Sequence, residues 1–150
     1  MREAIRLSRE YMEQGLGGPF GCVVVKDGKI VGRGWNKVTS SNDPTAHAEV
    51  SAIRDACAHL GSFQLSGCTV YTSCEPCPMC LGALYWARPD KVYYGNSKTD
   101  AAAIGFDDSF IYEELQLPLP KRSMPLEPLL AKEAKLVFDA WAEKEDKIEY

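Results

Sequence analysis

The sequence has few histidines and no excess of positive charge. Two histidines occur among 150 residues, and 17 Lys and Arg are outnumbered by 21 Asp and Glu, which leaves a net charge of −4 at pH 7. A protein that binds a polynucleotide usually has a basic face that contacts the phosphates. This sequence has no run of Lys or Arg that could contact a nucleic-acid strand along its length. We therefore expect a small, uncharged substrate and no nucleic-acid partner.

Long apolar runs are missing as well. No stretch approaches the roughly 20 apolar residues that cross a bilayer, and the charged start Met1-Arg2-Glu3-Ala4-Ile5 lacks the apolar core of a signal sequence. A chain of this size folds around a single core without disulfides, so its six cysteines are free for other roles. We expect no membrane partner and a reducing, cytoplasmic setting.

Apolar periodicity predicts alternating helices and strands in one domain, since neither a repeat nor a long linker divides residues 1–150. An Asp27-Gly28 turn predicts a hairpin. The alternation indicates an α/β fold, a three-layer α/β/α sandwich with a central mixed five-stranded sheet. The predicted elements are helices from about Arg2 to Glu13 and from about Ala131 to Glu143, and strands at residues 21–25, 30–35, 68–73 and 91–94.

The motif His47-Ala48-Glu49 is predicted to lie in the first turn of a helix. Asp is common at helix caps and Pro at the first position of a helix. Asp43 and Pro44 therefore predict a helix that starts just before the motif. Gly61 is placed to end it. A carboxylate on such a rigid element is held as a catalytic group must be.

The second motif, Pro76-Cys77-Pro78-Met79-Cys80, places two thiols three residues apart at a helix start. They share one helix face, and the positive end of the helix favours the thiolates that zinc requires. One His and two Cys make three ligands, the count of a catalytic zinc with a fourth position for water. Together with Glu49 as proton shuttle and a zinc-bound hydroxide as nucleophile, the motifs form the signature of a zinc-dependent base deaminase.

Each candidate also has a structural alternative. Cys74 can join His47, Cys77 and Cys80 in a closed zinc site, which would make the protein a structural zinc module for protein contacts. Phe20 can pack in the core instead of stacking on a flat base. Further alternatives are a turn role for Asn36 and helix capping by Asp107 and Asp108. Trp35, Trp86 and Trp141 are expected to pack on strand or helix faces.

The chain resembles the cytidine-deaminase-like superfamily and, more closely, its small bacterial guanine deaminases. The resemblance implies that His47, Cys77 and Cys80 bind zinc, that Glu49 shuttles protons, and that Asn36 and Asp108 hold the base. The implied reaction converts guanine at C2 to xanthine and ammonia. The stretches that carry the resemblance are residues 17–21, 39–49, 72–83 and 105–110.

The resemblance also implies a domain-swapped homodimer. In this family the C-terminal segment, about residues 131–150 here, is exchanged between two subunits, and the terminal tyrosine, Tyr150, closes the partner's pocket. The apolar ending Ile148-Glu149-Tyr150 is unusual for a frayed tail, which normally stays polar. Guanosine deamination and tRNA adenosine deamination are the rival activities within the same chemistry.

Overall fold

The computed structural model describes residues 1–149. Both helices predicted at the ends of the chain are confirmed with their bounds. A short 3₁₀ helix, Leu119–Lys121, precedes the last of them. The elements in chain order are α1 (Arg2–Glu13), β1 (Gly21–Lys26), β2 (Lys29–Trp35), α2 (Val38–Ser41), α3 (Ala48–Leu60), β3 (Cys68–Cys74), α4 (Pro78–Ala87), β4 (Lys91–Asn96), α5 (Lys98–Ala103), α6 (Ser109–Gln116) and α7 (Ala131–Glu143).

The strands form one mixed sheet in the order β2-β1-β3-β4. β1 pairs antiparallel with both β2 and β3, whereas β3 and β4 are parallel. Asp27 and Gly28 both have positive φ, 49° and 74°, the conformation that a tight hairpin turn needs. The predicted hairpin and the mixed character of the sheet are confirmed.

The prediction of five strands is wrong, because the sheet that residues 1–149 form has four. Among residues 97–149, regular structure is helical, and the short apolar piece at residues 126–130 forms no strand. Pro128 lies within that piece and Pro125 just before it. Each proline lacks the backbone N–H that a strand donates to its neighbour, which makes the piece unsuitable as a fifth strand.

Helices cover both faces of the sheet. α1 packs Ala4 and Leu7 against Val23 of β1. α3 and α4 pack on the opposite face, where small side chains of α3 meet Cys22, Val24, Cys68 and Val70. This face determines the position of α3, the helix that begins at the His47 motif.

α3 lies unusually close to β2. A Cβ added at Gly34 would lie 2.2 Å from the carbonyl oxygen of Ala48, and one added at Gly32 would lie 2.6 Å from that of Ala52. Only glycine leaves room for a helix backbone at this distance. The first turn of α3 is therefore held against the strand that ends beside Asn36.

The predicted start of α3 is wrong by four residues. The side chain of Asp43 accepts hydrogen bonds from the backbone N–H and the hydroxyl of Thr45, which makes a local turn instead of a helix cap. The helix begins at Ala48, with His47 in an extended conformation at the cap position. Glu49 remains in the first turn, and Gly61 ends the helix at φ 60° as predicted.

The chain divides into two compact units. The first, Met1–Ser109, contains the sheet and helices α1 to α5. The second begins at Phe110 and contains the 3₁₀ helix and α7. The expectation of a single domain with an exchanged C-terminal segment stays a prediction. None of the helices formed by residues 1–149 combines the length and the apolar character needed to cross a membrane.

Candidate active site

His47, Cys77 and Cys80 converge where two helices begin. His47 is the N-cap of α3 and Cys77 the N-cap of α4, and both have extended backbones that direct them off the helix ends. The Nδ1 atom of His47 lies 3.5 Å from the Sγ atom of Cys77 and 3.5 Å from that of Cys80. The ligand atoms of all three lie within 4.8 Å of one another.

This cluster fits a zinc ion. Tetrahedral zinc with Zn–S near 2.3 Å and Zn–N near 2.0–2.1 Å places a ligating nitrogen and sulfur about 3.6 Å apart, close to the spacing of His47 and the two thiols. A hydrogen bond from the Cys80 thiol, and then one from His47, lowers the pKa of the Cys77 thiol against the opposing effect of burial, whereas the pKa of Cys80 is raised. The site therefore favours a thiolate at Cys77, which is the form that binds the metal.

Cys74 lies outside the cluster. Among residues 1–149, the only His, Cys, Asp or Glu side chains grouped closely enough to hold a metal are His47, Cys77 and Cys80. The Cys74 thiol points instead to the carbonyl oxygen of Ser97, at 3.7 Å, and burial raises its pKa to about 11. A closed site of one histidine and three cysteines is not formed, and the three-ligand arrangement leaves a position for water.

Glu49 lies beside the cluster and is almost completely buried, at 6% exposure. One of its oxygens, Oε1, accepts a hydrogen bond of 2.9 Å from the hydroxyl of Thr72. Burial raises the pKa of Glu49, and the hydrogen bonds from its own backbone and from Thr72 oppose this effect. A carboxylate with a raised pKa exchanges protons more readily near neutral pH, as a proton shuttle must.

A cavity of about 480 Å³ is lined by Glu49 and by side chains of the candidate metal-ligand cluster. The predicted substrate-binding residues Phe20, Asn36 and Asp108 all line it, together with His47 and Cys77. The structure thus brings the predicted site residues among 1–149 to one place, although it does not test their roles. Tyr150, the remaining candidate, lies outside the described residues.

Asn36 is buried and its side-chain amide has a defined orientation. The oxygen Oδ1 accepts hydrogen bonds from the backbone N–H groups of Gly18 and Val38, both at 3.3 Å. Asn36 lines the cavity, and with its oxygen occupied in this way the NH₂ group is the part of the amide left for a ligand. An asparagine amide can both donate and accept hydrogen bonds. In Asn36 the oxygen already accepts two, so the side chain is left to act as a donor to a ligand.

The two neighbouring aspartates have different surroundings. Asp107 accepts a 2.9 Å hydrogen bond from the backbone N–H of Ser109, which makes a local turn just before α6 where helix capping was the structural alternative. The pKa of Asp107 is lowered by this bond. For Asp108 the pKa is raised, first by burial and then by the negative charge of Cys77. The structure thus gives the turn role to Asp107 and places Asp108 nearer the thiolate.

Phe106 is a cavity residue that sequence reasoning did not single out. Its ring meets that of Phe20 edge to face, with centroids 4.8 Å apart and planes at 90°. Both rings pack tightly against Gly18, where an added Cβ would lie 3.2–3.3 Å from them. The signal was present in Gly105-Phe106-Asp107-Asp108, where an aromatic residue stands directly beside the aspartates.

The model of the cytidine and deoxycytidylate deaminase zinc-binding region matches residues 1–96. That span is well over half of the chain and contains His47, Glu49, Cys77 and Cys80. The chain belongs to this deaminase family. The family uses zinc, and the cluster of one histidine and two cysteines in this deaminase is suited to that ion.

Individual relatives narrow the comparison. The deaminase is 55% identical to guanine deaminase of Bacillus subtilis strain 168, over 100% of this chain and 96% of that protein. The X-ray structure of guanine deaminase from Bacillus subtilis superposes with a TM-score of 0.96 and covers 99% of this chain and 95% of its own. These matches confirm the resemblance to the small bacterial guanine deaminases.

Other solved structures share less of the chain. A guanine deaminase from Nitrosomonas europaea is 32% identical, with a TM-score of 0.68, over 71% of this chain and 62% of its own. A tRNA:A34 deaminase that edits A to I is 33% identical, with a TM-score of 0.65, over 83% and 92%. The cytidine-deaminase-like fold is thus shared among enzymes with different substrates.

Proposed function

We propose that this deaminase hydrolyses guanine at C2 to xanthine and ammonia. The observation that carries the proposal is the meeting of Asp108, Asn36 and Glu49 in one cavity beside the cluster of metal ligands. Guanine has N–H donors at N1 and at the 2-amino group, which need an acceptor such as the Asp108 carboxylate. The 55% identity to a guanine deaminase over the full chain supports the same substrate.

Zinc binding and proton transfer are assigned to different residues. Zinc held by His47, Cys77 and Cys80 would supply a water of lowered pKa, toward about 7, as nucleophile at neutral pH. Glu49 takes one proton from the attacking water and delivers it to a ring nitrogen, and it then takes the second proton of that water and delivers it to the departing amine. One water is consumed and one ammonia released, so that Glu49 ends the cycle as it began.

Recognition of the base is assigned to three further residues. Asn36 donates from its NH₂ group to an acceptor atom of the purine, because its own oxygen is bound by backbone N–H groups. Asp108 accepts from the N–H groups on the side where the amine is lost. Phe20 forms, with Phe106, an aromatic wall on which a flat base can stack, a contact worth about 1–3 kcal/mol.

We further propose that the protein is a domain-swapped homodimer in which about residues 131–150 are exchanged and Tyr150 closes the partner's cavity. Along α7 the apolar side chains Leu136, Val137, Phe138 and Trp141 are exposed, although such side chains usually find a partner. Removing residues 148–150 is expected to lower kcat/KM by opening the cavity to water. Unchanged kcat/KM in this truncated protein would contradict the lid role of Tyr150.

A reducing, cytoplasmic location follows as part of the same proposal. The cysteines Cys22, Cys57, Cys68, Cys74, Cys77 and Cys80 are all free thiols. A site that depends on two thiolates keeps its ligands only where thiols stay reduced. Fractionation of cells with an antibody to the protein would test the location.

The substrate is tested by measuring ammonia release from guanine, guanosine, adenine, cytosine and a tRNA anticodon stem, side by side, with zinc-loaded protein. Preference for guanine is the expected result. Preference for guanosine would keep the same deamination but mean that the cavity also accepts a ribose. Preference for the tRNA stem would point to base editing. The Glu49→Ala variant is the control, since it should retain zinc yet lose at least about 10²-fold in turnover.

A further inference from the structure

Thr72 is a polar residue in the most apolar layer of the molecule. It lies on β3 with 1% of its surface exposed. Alternation along the strand places it on the same face as Cys68 and Val70, which belong to the core beneath α3 and α4. A hydroxyl in such a place costs free energy unless it is hydrogen-bonded, so its partner is informative.

The partner of Thr72 is Glu49. The hydroxyl Oγ1 donates to Glu49 Oε1 over 2.9 Å, and both residues are buried. Glu49 lines the cavity, whereas Thr72 is not among the residues that line it. Thr72 therefore has no access to a bound substrate and acts on the site only through this carboxylate.

We propose that Thr72 is a positioning residue that fixes one oxygen of Glu49 and leaves the other, Oε2, as the atom that carries protons. The proposal rests on the deaminase function proposed above, in which Glu49 serves as the shuttle. It assigns Thr72 no contact with the base and no part in holding zinc.

The physical need for such a residue comes from the length of the glutamate side chain. Three rotatable bonds separate its carboxylate from the α3 backbone, so that hydrogen bonds must hold the oxygens in place, and the backbone of Glu49 and the hydroxyl of Thr72 both supply one. Proton transfer requires a donor and an acceptor within hydrogen-bond reach, and a displacement of about 1 Å can cost about 10²-fold in rate. A donor on the rigid strand β3 removes this freedom.

The surroundings of Thr72 leave its hydroxyl available for this task. Cys22 on β1 faces Thr72 across the antiparallel pair. Burial raises the pKa of the Cys22 thiol well above its ordinary value, so that it stays uncharged beside Glu49. The Cys22 thiol is also within hydrogen-bond reach of the Thr72 hydroxyl, and as an uncharged group it can donate to that oxygen while Thr72 donates to Glu49 Oε1.

The test compares Thr72→Val, Thr72→Ser and Thr69→Val with the full-length, zinc-loaded protein. Valine keeps the shape of threonine without the hydroxyl, and Thr69 is a control on the same strand whose side chain points to the opposite face. Thr72→Val should lower kcat on the order of tenfold or more while KM stays within about twofold. Thr72→Ser should restore most of the rate, and Thr69→Val should behave as the wild type.

Three further measurements separate positioning from general support. Zinc content and xanthine binding by calorimetry should match the wild type in Thr72→Val. In a Glu49→Gln background, Thr72→Val should cause no additional loss of kcat, because its effect passes through the carboxylate. A crystal structure of Thr72→Val should show the Glu49 carboxylate moved or in more than one rotamer.

Several outcomes would overturn the proposal. These are wild-type kcat in Thr72→Val, an equal loss in Thr72→Ser, an additive loss in the Glu49→Gln background, or an unmoved Glu49 carboxylate. If Thr72→Val does not fold, Thr72→Ala replaces it in the same comparison with Thr72→Ser. A wild-type protein that releases no ammonia from guanine would refute the guanine assignment instead. The position of Glu49 in the variant crystal would then still decide the role of Thr72.

Discussion

Asp107 and Asp108 show how adjacent residues of one type take different roles. Asp107 is bound to the backbone of Ser109, and its pKa is lowered by that bond. Asp108 is the more buried of the two, and burial raises its pKa. The sequence offers the same carboxylate at both positions, so the difference between them comes from their surroundings in the fold.

Replacing Asp108 separates these roles. Asp108→Ala should lower kcat/KM for guanine by about tenfold or more, because the donors of a buried base would be left unpaired at about 1–3 kcal/mol each. Asp107→Ala is the matched control. It should lose only the turn bond to Ser109 and change kcat/KM far less. Equal kcat/KM in wild type and Asp108→Ala would contradict the assignment of Asp108.

At the scale of the elements, the position of α3 depends on two glycines of β2. Because Gly32 and Gly34 have no Cβ, the helix approaches the strand closely enough to place His47 and Glu49 opposite α4. The starts of α3 and α4 then bring together the candidate metal ligands and Glu49, the proposed shuttle. Stability and zinc affinity are therefore coupled through this contact.

Gly34→Ala tests the coupling. The new Cβ would lie 2.2 Å from the Ala48 carbonyl oxygen, so α3 must move, at a cost of about 1–3 kcal/mol for overpacking. We expect a lower free energy of unfolding in urea and weaker zinc binding in a chelator competition. Gly82→Ala is the control, because Gly82 lies within α4 with no atom near the added Cβ.

The control should be stabilised, by about 0.5–1 kcal/mol, since alanine is the better residue in a helix. If Gly34→Ala bound zinc as tightly as the wild type while Gly82→Ala bound it more weakly, the contact between Gly34 and α3 would not control the position of the zinc ligands.

Local signals predicted most element bounds. α1 and α7 agree with their apolar periodicity, and α4 begins at Pro78, as expected for proline at a first helical position. α5 was not predicted, because its six residues are too short for a periodic pattern, and its capping box of Ser97 and Asp100 gave the only local signal. The fifth strand was expected without a segment suited to form it.

At the scale of the whole molecule, large apolar side chains remain at the surface. Trp86 and Trp141 were expected to pack, yet they are 65% and 45% exposed, while Trp35 is half-buried and stacks on Tyr11. Phe138 of α7 is 77% exposed. Exposed patches of this kind are typical of surfaces that meet another chain, which agrees with the proposed homodimer.

The homodimer is tested by a charge on α7. Phe138→Glu should weaken self-association by tenfold or more, that is by about 1.4 kcal/mol, because a charge would be placed at an apolar contact. Lys132→Glu, also on the exposed surface of α7, is the control and should leave association unchanged. Sedimentation equilibrium measures both. A wild-type protein that stays monomeric at micromolar concentration would contradict the proposal.

The sequence by itself determined the donor set and its placement near two helix starts. A histidine and a glutamate stand at the start of α3, and the three-residue spacing puts Cys77 and Cys80 together at the start of α4. These features follow from local backbone preferences. The family and the zinc chemistry are therefore recognisable in the order of the amino acids alone.

The tertiary structure alone decided how the site is arranged. The occupied oxygen of Asn36, the division of roles between Asp107 and Asp108, and the bond from Thr72 to Glu49 depend on surroundings that no local pattern encodes. Thr72 and Glu49 are 23 residues apart and meet because α3 packs on β3. Contacts of this kind arise from the packing of whole elements, and only the folded chain reveals them.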